Sequence, residues 1–117
     1  MGARDMHASG FGYKRSHTVR GFMKIVIANS KRARLRGLLF RKEFADMLLL
    51  QPCNDIHTIG MARPIDIAFI TPEGIVLESH RSVGPFRRLR CEAAYATLER
   101  FASQDRWYER GDIVDLE

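Results

Sequence analysis

The chain reads as a small, mainly β single domain, sandwich- or barrel-like, carrying one or two short helices. Three observations predict this. Short runs rich in β-branched and aromatic residues recur along the chain. Turn signals built on Pro and Gly separate them. A length of 117 residues, 45% of them hydrophobic, suits one domain with a core of its own.

Residues 1–20 read as a flexible basic leader, broken by Gly2, Gly10 and Gly12, and residues 21–117 as the folded domain. Phe22 to Ala28 is the first expected strand. Ser30 suits the cap of a short helix over Lys31 to Leu39, which Gly37 interrupts or ends. Met47 to Leu50 is a buried strand that stops before Pro52. Ile56 to Met61 and Ile65 to Ile70 are two further strands, with a tight turn at Ala62-Arg63-Pro64. Thr71-Pro72-Glu73-Gly74 is a turn by its chemistry, and Ile75 to His80 follows as a strand. Gly84-Pro85 breaks the chain again. Across Arg87 to Phe101, Ala93, Ala94, Ala96, Leu98 and Glu99 favour helix, whereas side-chain alternation favours strand. Strand is the preferred reading for 91–101. Ser103 to Glu109 suits a helical turn capped by Ser103, and Gly111-Asp112 turns into a closing strand, Ile113 to Leu116.

No apolar run approaches the ~20 residues of a membrane span, and residues 1–20 lack the apolar stretch of a secretory signal. A soluble cytoplasmic protein is the expectation, with Cys53 and Cys91 as free thiols. Charge is uneven. Residues 1–42 hold eleven Lys/Arg against one acid, Asp5, and the remainder holds eight against thirteen. The basic front half reads first as a solvated segment complementing the chain's own acidic half. Its charge also allows a nucleic-acid partner. However, Lys31, Arg32, Arg34 and Arg36 would spread around a short helix, and no aromatic-interleaved strand or helix-turn-helix accompanies them. Nucleic acid is therefore not favoured.

The segment Pro52 to Ile70 places Cys53, Asn54, Asp55, His57, Thr58 and Asp66 within expected core structure, where polar groups need partners or a purpose. If its two strands form a hairpin, Met61 faces Ile65, Gly60 faces Asp66, Thr58 faces Ala68 and His57 faces Phe69. One face then carries His57, Ile59, Met61, Ile65, Ile67 and Phe69 and is core. The other carries Thr58 and Asp66 beside the space left by Gly60, the floor of a small polar cleft. Arg34, His57, Thr58 and Asp66 are the candidate ligand-binding residues. The structural alternative is that Thr58 and Asp66 bond each other, a backbone amide or an Arg, with Arg34 a natural bidentate partner for Asp66. A Cys53–His57 dyad is disfavoured, because four residues of extended chain span about 13 Å. Cys53, His57 and Met61 are soft donors, yet the spacings of zinc modules are absent, so no metal and no cofactor is expected. Leu98-Glu99 reads as a core leucine beside a charge at a strand end, and Trp107 and Tyr108 as cover for the core.

Several pieces occur in the order of a known family. They are Arg34-Leu35-Arg36-Gly37-Leu38-Leu39, Met47-Leu48-Leu49, His57-Thr58-Ile59-Gly60-Met61, Pro64-Ile65-Asp66-Ile67-Ala68-Phe69-Ile70, Gly74-Ile75-Val76, Pro85, Leu98-Glu99 and Gly111-Asp112. From Arg34 onward the chain resembles the bacterial and archaeal family called domain of unknown function 192. The pairing of His-Thr-x-x-Met with Pro-Ile-Asp is the most specific part. The resemblance implies a compact, mainly β domain and no activity. Many members have Trp where this chain has His57, so chemistry that requires imidazole is not general to the family. Many also carry an N-terminal export or anchor segment, which this chain is expected to lack.

The function expected is a small-ligand or protein-partner-binding module without turnover, with ligand, partner and oligomeric state left open. One alternative is an enzyme using Asp66 as acid/base. The other is a weak nucleic-acid binder acting through the basic N-terminal half.

Overall fold

The structure is a computed structural model that describes residues 13–17, 24–28, 30–39 and 43–116. In chain order the elements are β1 (Tyr13–His17), β2 (Lys24–Ala28), α1 (Lys31–Arg36), β3 (Met47–Leu50), β4 (Asp55–His57), β5 (Ile65–Ile70), β6 (Val76–Val83), β7 (Arg88–Arg90) and β8 (Ala96–Phe101). Six strands form one sheet in the order β1-β2-β3-β8-β5-β6, and β4 pairs with β7 in a separate two-stranded ribbon. Only β2 and β3 run parallel among these pairs, and α1 lies in the connection between them, as a parallel pair requires. The mainly β expectation therefore holds, with one short helix among the described residues.

The sheet buries both faces. Ala28, Leu48, Leu50, Ile65, Ile67, Phe69 and Phe101 pack on one side with Ala33, Leu38 and Ile56. Ile25, Ile27, Met47, Leu49, Ala68, Ile70, Ala96 and Leu98 pack on the other with Trp107, Tyr108 and Val114. Burial on both sides is why β3 is an uninterrupted Met-Leu-Leu-Leu and β5 an apolar run broken only by Asp66. Helix α1 begins where Ser30 Oγ accepts from the Ala33 N–H at 3.1 Å. It ends at Gly37, whose φ of 49° lies where side chains are disfavoured. No helix of the described residues is long and apolar enough to cross a membrane.

Several expectations are corrected. Residues 13–17, placed in the leader, form β1 and pair antiparallel with β2; residues 1–12 and 18–20 lie outside the described residues, as do Phe22 and Met23. The hairpin between residues 56–61 and 65–70 does not form. Strand β5 is hydrogen-bonded on one side to β6 and on the other to β8, so it has no edge left for β4. Strand β4 stops at His57. Thr58 to Met61 then form a turn closed by the Met61 N–H to the Thr58 carbonyl, with Gly60 at φ 87°. His57 and Ile59, expected in the core, are exposed.

Residues 91–95 are a turn, with Ala94 N–H donating to the Cys91 carbonyl, and strand begins at Ala96. Residues 103–109 are not helical. Arg81 and Arg100 donate to the carbonyls of Ser103 and Asp105, and Trp107 and Tyr108 are both buried. Adjacent side chains buried together do not suit one helix face. The closing strand reduces to a single bridge, Ile75 to Ile113.

Candidate functional site

Strand β8 sits between β3 and β5, and its alternation sends Thr97, Glu99 and Phe101 toward α1 and Leu98 and Arg100 toward the opposite face. Two consecutive charged residues therefore lie in the middle of the sheet, Glu99 and Arg100, each 2% exposed. They are treated differently by their surroundings.

Arg100 is neutralised. It lies directly across from Asp66 in the β5–β8 register. Its Nε donates to Asp66 Oδ2 at 2.8 Å, while its guanidinium stacks 4.7 Å from the Trp107 ring centroid. Asp66 Oδ1 accepts from the Ser82 N–H at 2.8 Å, with Arg81 Nε a further 3.8 Å contact. That amide is aimed by a β-bulge. Ile65 and Ile67 of β5 stand opposite Val83 and His80, so β6 carries one extra residue there, and Ser82 takes φ 51°. Arg81 and Arg100 also hold the 103–105 loop through its carbonyls.

Among the described residues Glu99 has no such partner. Its neighbours on the same face across the sheet are Leu48 and Ile67. The Leu38 N–H donates to its carboxyl, but Oε1 has no hydrogen-bond partner among the described residues. Burial pushes the carboxyl up from 4.5 to about 7, and the Leu38 amide offsets only part of that. Above it is Gly37. A Cβ at that position would come within 3.1 Å of Glu99 Oε1 and 3.3 Å of Leu50 Cδ2.

A cleft of about 330 Å³ opens over this carboxyl. Lys31, Arg34 and Arg36 of α1 line one wall. Cys53 and Asn54 from the β3–β4 connection and Asp55 and His57 of β4 line another, and Leu50, Ile56 and Met61 supply apolar surface. The connection is tied to the sheet, since Cys53 N–H donates to the Tyr95 carbonyl and Thr97 Oγ1 to the Cys53 carbonyl. Asp55 is engaged by Arg88 across the ribbon, which holds its carboxyl below the usual range. Burial pushes the Cys53 thiol up, so it stays protonated and is not an activated nucleophile. Among the described residues no three His, Cys, Asp or Glu side chains gather in a form able to hold a metal ion.

The four residues selected from sequence do not converge. Arg34 and His57 line the cleft with Glu99. Asp66 is fully buried against Arg100, not Arg34. Thr58 is also fully buried, and its hydroxyl is used twice, donating to the Gly84 carbonyl and accepting from the Arg87 N–H, each at 2.8 Å.

A family model described as an uncharacterized ACR, domain of unknown function 192 (DUF192), matches residues 14–107. The chain belongs to the DUF192 family. Among curated proteins none matches it. Two crystal structures share its fold. A protein of unknown function from Novosphingobium aromaticivorans is 18% identical with a TM-score of 0.70, covering 98% of this chain and 92% of the other. A proposed transcription regulator from Sinorhizobium meliloti is also 18% identical, with a TM-score of 0.62, over 76% of this chain and 73% of that one. At such identity the likeness is one of fold.

Within this DUF192 chain, Glu99 is the residue that sequence reasoning passed over. Placing it at a strand end made it look solvated. The available signal was the alternation Thr97, Glu99, Phe101, which puts the acid between two residues bound for one face.

Thr58 offers a test of the scaffold beneath the cleft. Thr58→Val keeps the shape and leaves the Arg87 N–H and Gly84 carbonyl without that partner. It is expected to cost about 1–3 kcal/mol, read as a lower urea midpoint at unchanged slope. A change within error would show that the 58–61 turn does not depend on this hydroxyl.

Proposed function

We propose that this DUF192 domain is a small-ligand-binding module whose site is the cleft over Glu99, rimmed by Arg34 and His57. The observation that carries the reading is Oε1, which has no hydrogen-bond partner among the described residues. Buried polar atoms in native proteins are almost always satisfied, and this one belongs to a side chain lining a concavity of ligand size. Gly37 supports the same reading, because any side chain there would crowd the oxygen. Thr58 and Asp66 belong to the scaffold in this proposal, their polar atoms being engaged by the fold itself.

An enzymatic role for Asp66 loses support from its enclosure by Arg100 and the Ser82 amide. If the domain does catalyse a reaction, Glu99 is the better acid/base, since a carboxyl titrating at about 7 serves either role near neutrality.

The test uses the ¹⁵N-labelled full chain with benzoate, ethylammonium and ethylene glycol as separate probes at millimolar concentration. At least one probe is expected to shift the amides of Gly37, Leu38, Asn54 and His57 together and saturably. If all three leave those amides unmoved, the cleft is not a ligand site of this kind.

A further inference from the structure

Resting on that ligand-site reading, we infer that the cleft takes a small organic acid. Its carboxylate head is held between the α1 cations and Oε1 of Glu99, and its apolar body lies against Leu50, Ile56 and Met61. Three features point to this class.

The first is the balance of charge around the cavity. From α1 come Lys31, Arg34 and Arg36, and from β4 comes His57. The acids that face the same space are Asp55, already engaged by Arg88, and Glu99 itself. Cys53 contributes a protonated thiol that donates to the Asp55 carbonyl. On β8, Thr97 is turned to the Cys53 carbonyl, and Arg100 is on the opposite face with Asp66. The neighbours of Glu99 on β3 and β5 are the apolar Leu48 and Ile67. The cavity mouth is thus cationic, which attracts an anion and disfavours an amine.

The second feature is the floor. An ionised Glu99 would repel a carboxylate, but a protonated one donates a hydrogen bond to it. Leu38 N–H already occupies the carboxyl as a donor, which leaves the proton for the orphaned oxygen. The group titrates at about 7, so protonation costs little near neutrality. Binding of the anion then takes up a proton.

The third is the wall. Leu50, Ile56 and Met61 present apolar surface beside the polar floor. An amphipathic acid matches both, whereas a bare inorganic anion would leave that surface unused.

The experiment measures the affinity of benzoate and, separately, of ethylammonium for the full chain, Glu99→Gln and His57→Gln, from about pH 6 to about pH 9. Benzoate affinity for the native chain is expected to fall about tenfold per pH unit above neutrality. Glu99→Gln supplies a donor that does not titrate, so it should bind benzoate with most of that slope removed. His57→Gln should keep the slope, which assigns it to Glu99 and not to the imidazole at the rim. The inference is overturned if benzoate affinity in the native chain is flat with pH, or if Glu99→Gln abolishes benzoate binding while remaining folded. It is also overturned if ethylammonium binds more tightly as pH rises and is lost in Glu99→Gln, a result that keeps the cleft as a ligand site but for cations. Failure of both probes to bind the native chain overturns the inference, and the ligand-site reading falls with it if ethylene glycol also leaves the cleft amides unmoved.

Discussion

Replacing Asp66 with alanine is expected to remove about 3–5 kcal/mol of stability, the cost of leaving one member of a buried ion pair without its partner. The site has the features that put a pair at the costly end. Asp66 is fully buried and Arg100 nearly so, with 2.8 Å between Nε and Oδ2. Removing the carboxylate also strands the Ser82 N–H, which the β6 bulge and its positive φ have aimed at that oxygen. Arg81 loses its charge partner as well, and the loop it holds through the Ser103 and Asp105 carbonyls loosens. Urea unfolding measures the loss. Asp66→Asn should recover part of it, because an amide oxygen can still accept from Ser82 or Arg100. A cost for Asp66→Ala below about 1 kcal/mol would mean that water reaches Arg100 and that the pair is not the closed network described.

The second large effect is a dependence of stability on pH that comes from Glu99. Its carboxyl titrates at about 7 in the folded chain against 4.5 ordinarily. Between those values the folded state binds more protons than the unfolded state, so stability falls as pH rises. The contribution is complete below about 4.5 and is lost on passing through about 7. Across that interval the loss is of order 3 kcal/mol. Glu99→Gln should therefore match the native chain in mild acid and exceed its stability above neutrality, up to that amount, with the difference growing through the interval. Paired denaturation curves at several pH values read it directly. If the two proteins keep a constant offset, the carboxylate is hydrated in the folded state and its burial is only apparent. The opposite sign is expected from Asp55, whose carboxyl is held low by Arg88. Its contribution is present above the ordinary carboxylate value of 3.8 and disappears in acid, below the Glu99 interval.

These two acids also show where reading the sequence succeeds and where it stops. Asp66 is legible as an exception inside Ile65–Ile70, and a structural pairing with arginine is a sound expectation for it. Which arginine is not legible. Arg34 and Arg100 are both available in sequence, and only the register between β5 and β8 sets Arg100 opposite Asp66. Thr58 is likewise legible as a buried polar residue, but its partners lie at residues 84 and 87, brought near by the β4–β7 ribbon. The expected pocket beside Gly60 failed because it assumed that consecutive strands pair. In the structure β5 spends both its edges on β6 and β8, which leaves β4 to seek β7. Arg34 and His57 do reach a common cleft, although by a route different from the one supposed, with Glu99 as its floor.

Local chemistry alone determined much of the chain: the Ser30 cap, the helix stop at Gly37, the buried character of Met47–Leu50 and Ile65–Ile70, and the turn at 71–74. Each depends on backbone preference or on side chains within a few residues of one another. The family could also be read there, since its motifs are short and contiguous. Only the tertiary structure decided strand order, the partner of each buried charge, and the presence of a carboxyl beneath the helix stop at Gly37. Those depend on contacts between residues far apart in the chain, where several pairings satisfy the local pattern equally and burial of both sheet faces selects one.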